Sequence, residues 1–237
     1  MTLGRKGRAR RWRSAGTALP DLRADVGGRW VWGVGAAVVA VFAAVVIAAT
    51  VTSRAGQRAA PDAVTGLDHP PATVAVGAQV LPPWPAPTDA SAAAQAAGLP
   101  MARMEGIVQH MHAHLDVLVD GLPVPVPANI GVDTRRGTMS ALHTHDNTGV
   151  VHIESPVSRQ FSLGELFSEW QLSVAADHLG GLYVGAGKQL RVMVNGLIRP
   201  GNPAALILAD HDEIAIVYGA PRPGESIPAT YRFPEGT

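Results

Sequence analysis

Cysteine is absent from all 237 residues. Its absence excludes disulfides, a thiolate metal site, a lipid-modified cysteine and a cysteine nucleophile, so any bound metal must be held by imidazole, carboxylate or backbone oxygen. Aromatic residues make up only 5% of the chain and charged residues 16%, and the formal net charge is zero. That zero conceals a split. Residues 1–58 carry ten basic side chains against two acidic ones, whereas residues 101–237 carry nine against fourteen. An acidic C-terminal part disfavours nucleic acid as a partner, because phosphate binding needs clustered Lys and Arg.

Long apolar runs are also scarce, with one exception. Residues 30–52, "WVWGVGAAVVAVFAAVVIAATVT", contain no formal charge, and as a helix they reach ~35 Å, enough to cross a bilayer core. The 29 residues before this run hold eight basic side chains against two acidic ones. The positive-inside rule then predicts a cytoplasmic tail over 1–29, a transmembrane helix over 30–52 and an extracytoplasmic remainder, a single-pass cell-membrane topology. A cleaved signal peptide is the rival, but its apolar region usually runs only about 7–15 residues.

Residues 53–100 hold 14 Ala and 8 Pro, a composition with little apolar surface to offset ordering entropy, and read as a linker. Within it "TDASAAAQAAG" predicts a short helix capped by Thr88 or Asp89 and stopped at Gly98. Residues 101–237 suit one compact domain.

Alternation in "IVQHMHAHLDVLVDG" predicts a strand with Met111, Ala113, Leu115, Val117 and Val119 on one face and His110, His112, His114 and Asp116 on the other. Asp120-Gly121 signals a hairpin turn, and Pro123, Pro125 and Pro127 at every second residue suit an edge strand. "FSLGELFSEW" predicts a helix opened by a capping box of Ser162 and Glu165. "KQLRVMVNG" and "DEIAIVYG" predict closing strands through Leu190, Val192, Val194, Ile214, Ile216 and Tyr218, with Asn195-Gly196 as a turn. The expected fold class is therefore α+β: a small β-rich domain of hairpins with one main helix, preceded by the transmembrane helix.

The chemistry concentrates in histidine. Six of the nine histidines fall between residues 110 and 152. If Asp146 to Gly149 form the loop of a hairpin, His143 lies opposite His152, His145 opposite Val150 and Ala141 opposite Glu154. Opposed Cβ atoms are ~4.5–5.5 Å apart and second neighbours along a strand roughly 6.6 Å. His143, His145 and His152 can then converge on one ion, with Glu154 or Asp146 as a further ligand, partner or base. The second motif, His110, His112 and His114, either joins that site or forms its own. Imidazole with carboxylate suits a transition metal ion, Zn or Cu foremost. Met104, Met111 and Met139 offer soft ligands, although Met111 falls on the apolar face. His69, His178 and His211 read as a solvated residue, a helix-end residue and a turn residue.

These residues imply a membrane-tethered extracytoplasmic domain that captures or delivers Cu or Zn. One alternative is a metal-dependent hydrolase or oxidase with Glu154 as catalytic general base. Another is a metal-free envelope interaction domain, its hairpins carrying polar residues toward solvent. The protein partner is left open.

The combination of "HMHAHLDVLVDGLPVPVPANIG", "LHTHDNTGVVHIESP" and "FSLGELFSEW" resembles a largely uncharacterised group of bacterial membrane-anchored extracytoplasmic proteins, a resemblance that implies no activity. "LRVMVNG" with "LADHDEIAIVYG" resembles the closing strands of β-grasp domains such as ubiquitin-like sulfur carriers. Their diglycine tail has no counterpart in "PEGT", so that resemblance implies fold and not sulfur chemistry. "GTMSALHTH" is similar to the start of the first cupin motif, but its glutamate comes late, at Glu154, and a second motif is lacking.

Overall fold

The structure is a computed structural model that describes residues 66–235. Twelve strands are present among them: β1 (Gln109–Val119), β2 (Leu122–Pro123), β3 (Val132–Asp133), β4 (Thr138–Met139), β5 (Leu142–His143), β6 (Val150–Ser155), β7 (Val174–Ala175), β8 (His178–Leu179), β9 (Leu182–Tyr183), β10 (Gln189–Val194), β11 (Leu197–Ile198) and β12 (Glu213–Gly219). The two α-helices are α1 (Ala90–Ala96) and α2 (Leu163–Glu169).

The main sheet runs in the order β11-β10-β12-β1-β6-β5, with β2 pairing the far end of β1. Its centre is parallel, since β1 lies alongside β12 with His114 beside Glu213 and Val119 beside Tyr218. β1 pairs antiparallel with β6 on its other side. Strands β3 and β4 form a ribbon, and β7 to β9 a small separate sheet.

The fold class corrects the expectation from the sequence. In place of an α+β domain with one main helix, the described residues are mostly β-sheet with two helices of 7 residues each. None of their helices is long and apolar enough to cross a membrane, and residues 1–65, with the expected span at 30–52, lie outside the described residues. The physical cause is punctuation: 17 glycines and 17 prolines between residues 66 and 235 divide this stretch into short extended segments. The main predicted helix stops at Trp170 because Gln171 turns left-handed, at φ 58°. Its capping box forms as the sequence predicts, with Glu165 N donating to Ser162 Oγ at 3.2 Å and Ser162 N donating to Glu165 Oε2 at 2.9 Å. Loss of such a cap costs about 1 kcal/mol.

Alternation along β1 holds. Ala113, Leu115 and Val117 enter the core with Val151 and Ile153 of β6, Ile214 and Ile216 of β12, and Phe161, Leu166, Phe167 and Trp170 around α2. Full burial of each large side chain stabilises by roughly 1.5–3 kcal/mol.

Residues 66–100, whose composition suggests a linker, pack into the same core. Leu67, Trp84, Ala97 and Leu99 are buried there, and the Trp84 ring meets Trp170 edge-on at 6.2 Å. Asp89 caps α1 through Ala92 N at 3.0 Å, and Gly98, at φ 76°, ends it. Alanine supplies little area, but it fits where a helix must approach closely, and Ala93 and Ala94 are wholly buried.

Candidate metal centre

Strand β6 is the spine of the site. Its register sets His152 opposite His112 of β1 on one side and opposite His143 of β5 on the other, while Glu154 faces His110. Three imidazoles thus stand in one row across three adjacent strands. Val151, Ile153, Ala113 and Leu142 point to the core from the opposite face, as side chains that alternate along a strand must.

The hairpin between β5 and β6 pairs His143 with His152 as the loop spacing predicts, but its ladder ends there. His145 is not opposite Val150 in a ladder. It sits in the loop, exposed, and brings its Nε2 to 3.2 Å from His143 Nε2. Ala141 lies outside β5, yet its carbonyl still accepts from Glu154 N at 2.9 Å. Gly149, at φ 89°, closes the loop where a Cβ would come within 2.5 Å of Leu115 O, so only glycine fits that turn.

Two groups of donors form on this face. His143, His145 and His152 offer ligand atoms all within 4.8 Å of one another, and so do His110, His112 and Glu154. The groups touch: His112 Nε2 is 3.1 Å from His152 Nδ1, and His152 Nδ1 is 3.1 Å from Glu154 Oε1. Zn–N bonds of 2.0–2.1 Å in a tetrahedron place donor atoms about 3.3 Å apart, close to the His143–His145 separation.

His143 is prepared as a ligand. Its Nδ1 donates to Ser140 O at 2.9 Å, which leaves the lone pair on Nε2, directed into the group. Burial, with His145 and His152 nearby, pushes its pKa down to about 4 despite the opposing pull of Glu154. The ring is therefore neutral at physiological pH. His112 shifts down as well, through burial first and then His152 and His110. Burial pushes the Glu154 carboxyl up, but His152, His143 and His110 outweigh it and hold the group below its ordinary value. Its Oε2 is buried without a hydrogen-bond partner, 3.8 Å from His143 Nε2. An unpaired buried carboxylate oxygen beside the neutral His143 ring is costly by itself and favourable beside a cation. Such a face can bind a metal ion.

Two predicted residues are placed otherwise. Asp146 belongs to neither group; its Oδ1 accepts from Thr148 N at 2.9 Å and from the Thr148 hydroxyl, holding the loop. His114 donates from Nδ1 to Glu213 Oε2 at 2.7 Å and from Nε2 to Thr148 O at 2.6 Å, and its ring stacks on Tyr231 at 3.7 Å. It joins Asp116 and Glu213 in a third donor group, but both nitrogens are committed to acceptors. Burial lowers its pKa, and the bonds to Glu213 and Thr148 more than restore it, leaving a net rise. Glu213, which no motif in the sequence singles out, is the partner that decides this. Its only sequence signal is a carboxylate at the head of the most apolar strand.

Elsewhere, His69 Nε2 bonds Gly98 O at 3.0 Å, His178 lies between Ser173 Oγ and Asp177 at 2.7 Å each, and the His211 ring lies 4.6 Å from that of Phe233. A cavity of about 590 Å³, lined by Leu67, Pro100, Met101, Met104 and Met139, reaches Glu154 from outside. Comparison of the chain with protein-family models, with curated proteins and with solved structures returns no match.

Proposed function

We propose that this domain captures or delivers a transition metal ion, copper or zinc, through imidazoles gathered on β6 and its two neighbours. The observation that supports it most directly is the state of His143: wholly buried, its Nδ1 donating to a backbone carbonyl, its lone pair turned toward His145 and the unpaired oxygen of Glu154. A hydrogen bond from His145 could satisfy the His143 lone pair, but it leaves the buried Glu154 oxygen on the same side without a partner. A histidine serving a metal needs the arrangement seen at His143.

Capture and delivery also need a route, and the exposed edge of the two donor groups provides one. His145 and His110 are exposed, while His112, His143 and Glu154 are buried. Exposed imidazoles meet the ion first, and the buried ligands complete its coordination. Glu154 acts in this reading as a ligand rather than as a free general base, because its oxygens already face His110, His143 and His152.

Ion content of the purified full chain, followed by titration of the stripped protein with Zn(II) and Cu(II), tests the proposal. At least one equivalent bound at neutral pH is expected, with His143→Ala weakening it. Equal binding by wild type and His143→Ala defeats the assignment.

A further inference from the structure

The two donor groups touch, with His112 Nε2 and Glu154 Oε1 each 3.1 Å from His152 Nδ1, and together hold too many donors for a single ion. Five imidazoles and one carboxylate converge on this face, whereas a four-coordinate site uses four donors. Glu154 lies between the groups. Its Oε1 is 3.6 Å from His110 Nε2, its Oε2 is 3.8 Å from His143 Nε2, and Oε2 has no hydrogen-bond partner although the side chain is 4% exposed. His152 links the groups: its ligand atom lies within 4.8 Å of those of His143 and His145, and its Nδ1 contacts His112 and Glu154.

We infer that the face holds a dinuclear centre, with the Glu154 carboxylate bridging two ions. His143 and His145 serve one ion together with Glu154 Oε2. His110 and His112 serve the other together with Glu154 Oε1. His152 stands between them and completes either sphere. The inference rests on the proposed metal-binding function and adds the number of ions and the group that links them.

The electrostatics agree with the geometry. Two divalent ions repel, and paired sites in proteins hold their ions about 3.5–4 Å apart only with anionic ligands between them. Glu154 is the one carboxylate in the two groups, and it occupies the position between them. The paired arrangement also accounts for the surplus of buried imidazole. A single tetrahedral ion on His143, His145, His152 and Glu154 leaves the buried His112 imidazole outside its sphere, 3.1 Å from His152 Nδ1.

The experiment is a titration of the metal-stripped full chain with Cu(II), followed by ion counting and electron paramagnetic resonance. Two equivalents are expected. The isolated Cu(II) signal should grow through the first equivalent and lose intensity, or gain a half-field transition, as the second ion couples to the first. His110→Ala removes an exposed ligand, leaves the core untouched, and should reduce the count from two to one with an uncoupled spectrum. Glu154→Gln keeps the size of the side chain and should abolish coupling. If Glu154→Gln does not fold, as shown by its melting, His110→Ala carries the test.

One tightly bound equivalent in wild type overturns the dinuclear centre and leaves the proposed function standing. Two equivalents with independent spectra overturn the bridge. No bound copper or zinc defeats the metal-binding reading itself, and the dinuclear centre with it.

Discussion

His112 and His114 lie two residues apart on the same face of β1, are buried to nearly the same degree, and behave in opposite ways. The pKa of His112 is shifted down, whereas that of His114 is shifted up. The strand does not make the difference, since β1 presents both side chains alike. Their neighbours across the sheet make it. His112 is flanked by His152 of β6, an imidazole that disfavours a positive charge beside it. His114 sits beside Glu213 of β12, a carboxylate that favours one. A histidine cluster becomes a set of ligands where imidazoles neighbour imidazoles, and becomes an ion pair where a buried carboxylate faces the ring and stabilises its proton.

The largest effect expected from this contrast is on stability, at His114. Replacing it with alanine leaves Glu213 buried without its partner, and breaking a buried pair from one side costs about 3–5 kcal/mol. At about 2–4 °C per kcal/mol for a domain of this size, the melting temperature should fall by roughly 10 °C. Metal affinity should stay within about threefold, after allowance for any unfolded fraction. A His114→Ala protein that melts normally but loses its metal erases the contrast and makes His114 a ligand.

The next effect concerns pH, and the two kinds of histidine predict opposite slopes. His143 has a folded pKa of about 4 against an ordinary 6.5. Between those values the unfolded chain binds more protons than the folded one, so this contribution to stability is complete above 6.5 and is lost as pH falls toward 4, by on the order of 3 kcal/mol at most. His114 has a raised pKa. Its contribution is complete below 6.5 and is lost as pH rises through the folded value. Melting of the metal-free protein from pH 4 to 7 should show the first slope in wild type and a flatter one in His143→Asn. An unchanged slope means that His143 is not held neutral in the folded state.

Third comes affinity. Loss of a partner that merely orients a ligand typically costs 10–100-fold in metal affinity, so removal of a ligand itself should reach at least about 100-fold, or about 2.7 kcal/mol. His143→Ala and His112→Ala should each show it, by competition with a chelator of known affinity for Zn(II), whereas His178→Ala should not. A normal affinity in His112→Ala confines the site to the β5–β6 hairpin.

Much of the site is legible in the sequence because it is local. Alternation in "HMHAHLDV" is enough by itself to sort the histidines from Ala113 and Leu115, and the four-residue loop "DNTG" fixes His143 opposite His152. The remainder depends on pairings between distant segments. That β6 lies between β5 and β1, which fuses two histidine motifs into one face, is a property of the whole sheet. Glu213 meets His114 across 99 residues through a parallel pairing that no local pattern announces. Residues 66–100 mislead because composition measures available apolar area and not fit, and the small side chains of α1 pack where larger ones have no room.

The smallest effect is expected at Asp146, a candidate ligand by sequence that the structure assigns to the turn. Its carboxylate accepts from the Thr148 amide and hydroxyl, and burial by the surrounding protein is slight, so its pKa lies below the ordinary value because of those bonds. The loop is also pinned independently. Thr148 O accepts from His114, and Gly149 O accepts from Leu115 N at 2.9 Å. Asp146→Ala should therefore cost no more than about 0.5 kcal/mol, the usual range for an exposed surface change, and should leave Zn(II) affinity within about threefold. His145, next to it in the chain, provides the comparison: His145→Ala touches the same loop but removes an imidazole 3.2 Å from His143, and should weaken binding by at least about 100-fold, as loss of a ligand does. If Asp146→Ala weakens binding as much as His145→Ala, the loop carboxylate swings onto the ion, and the outer ligand of the centre is Asp146 as well as His145.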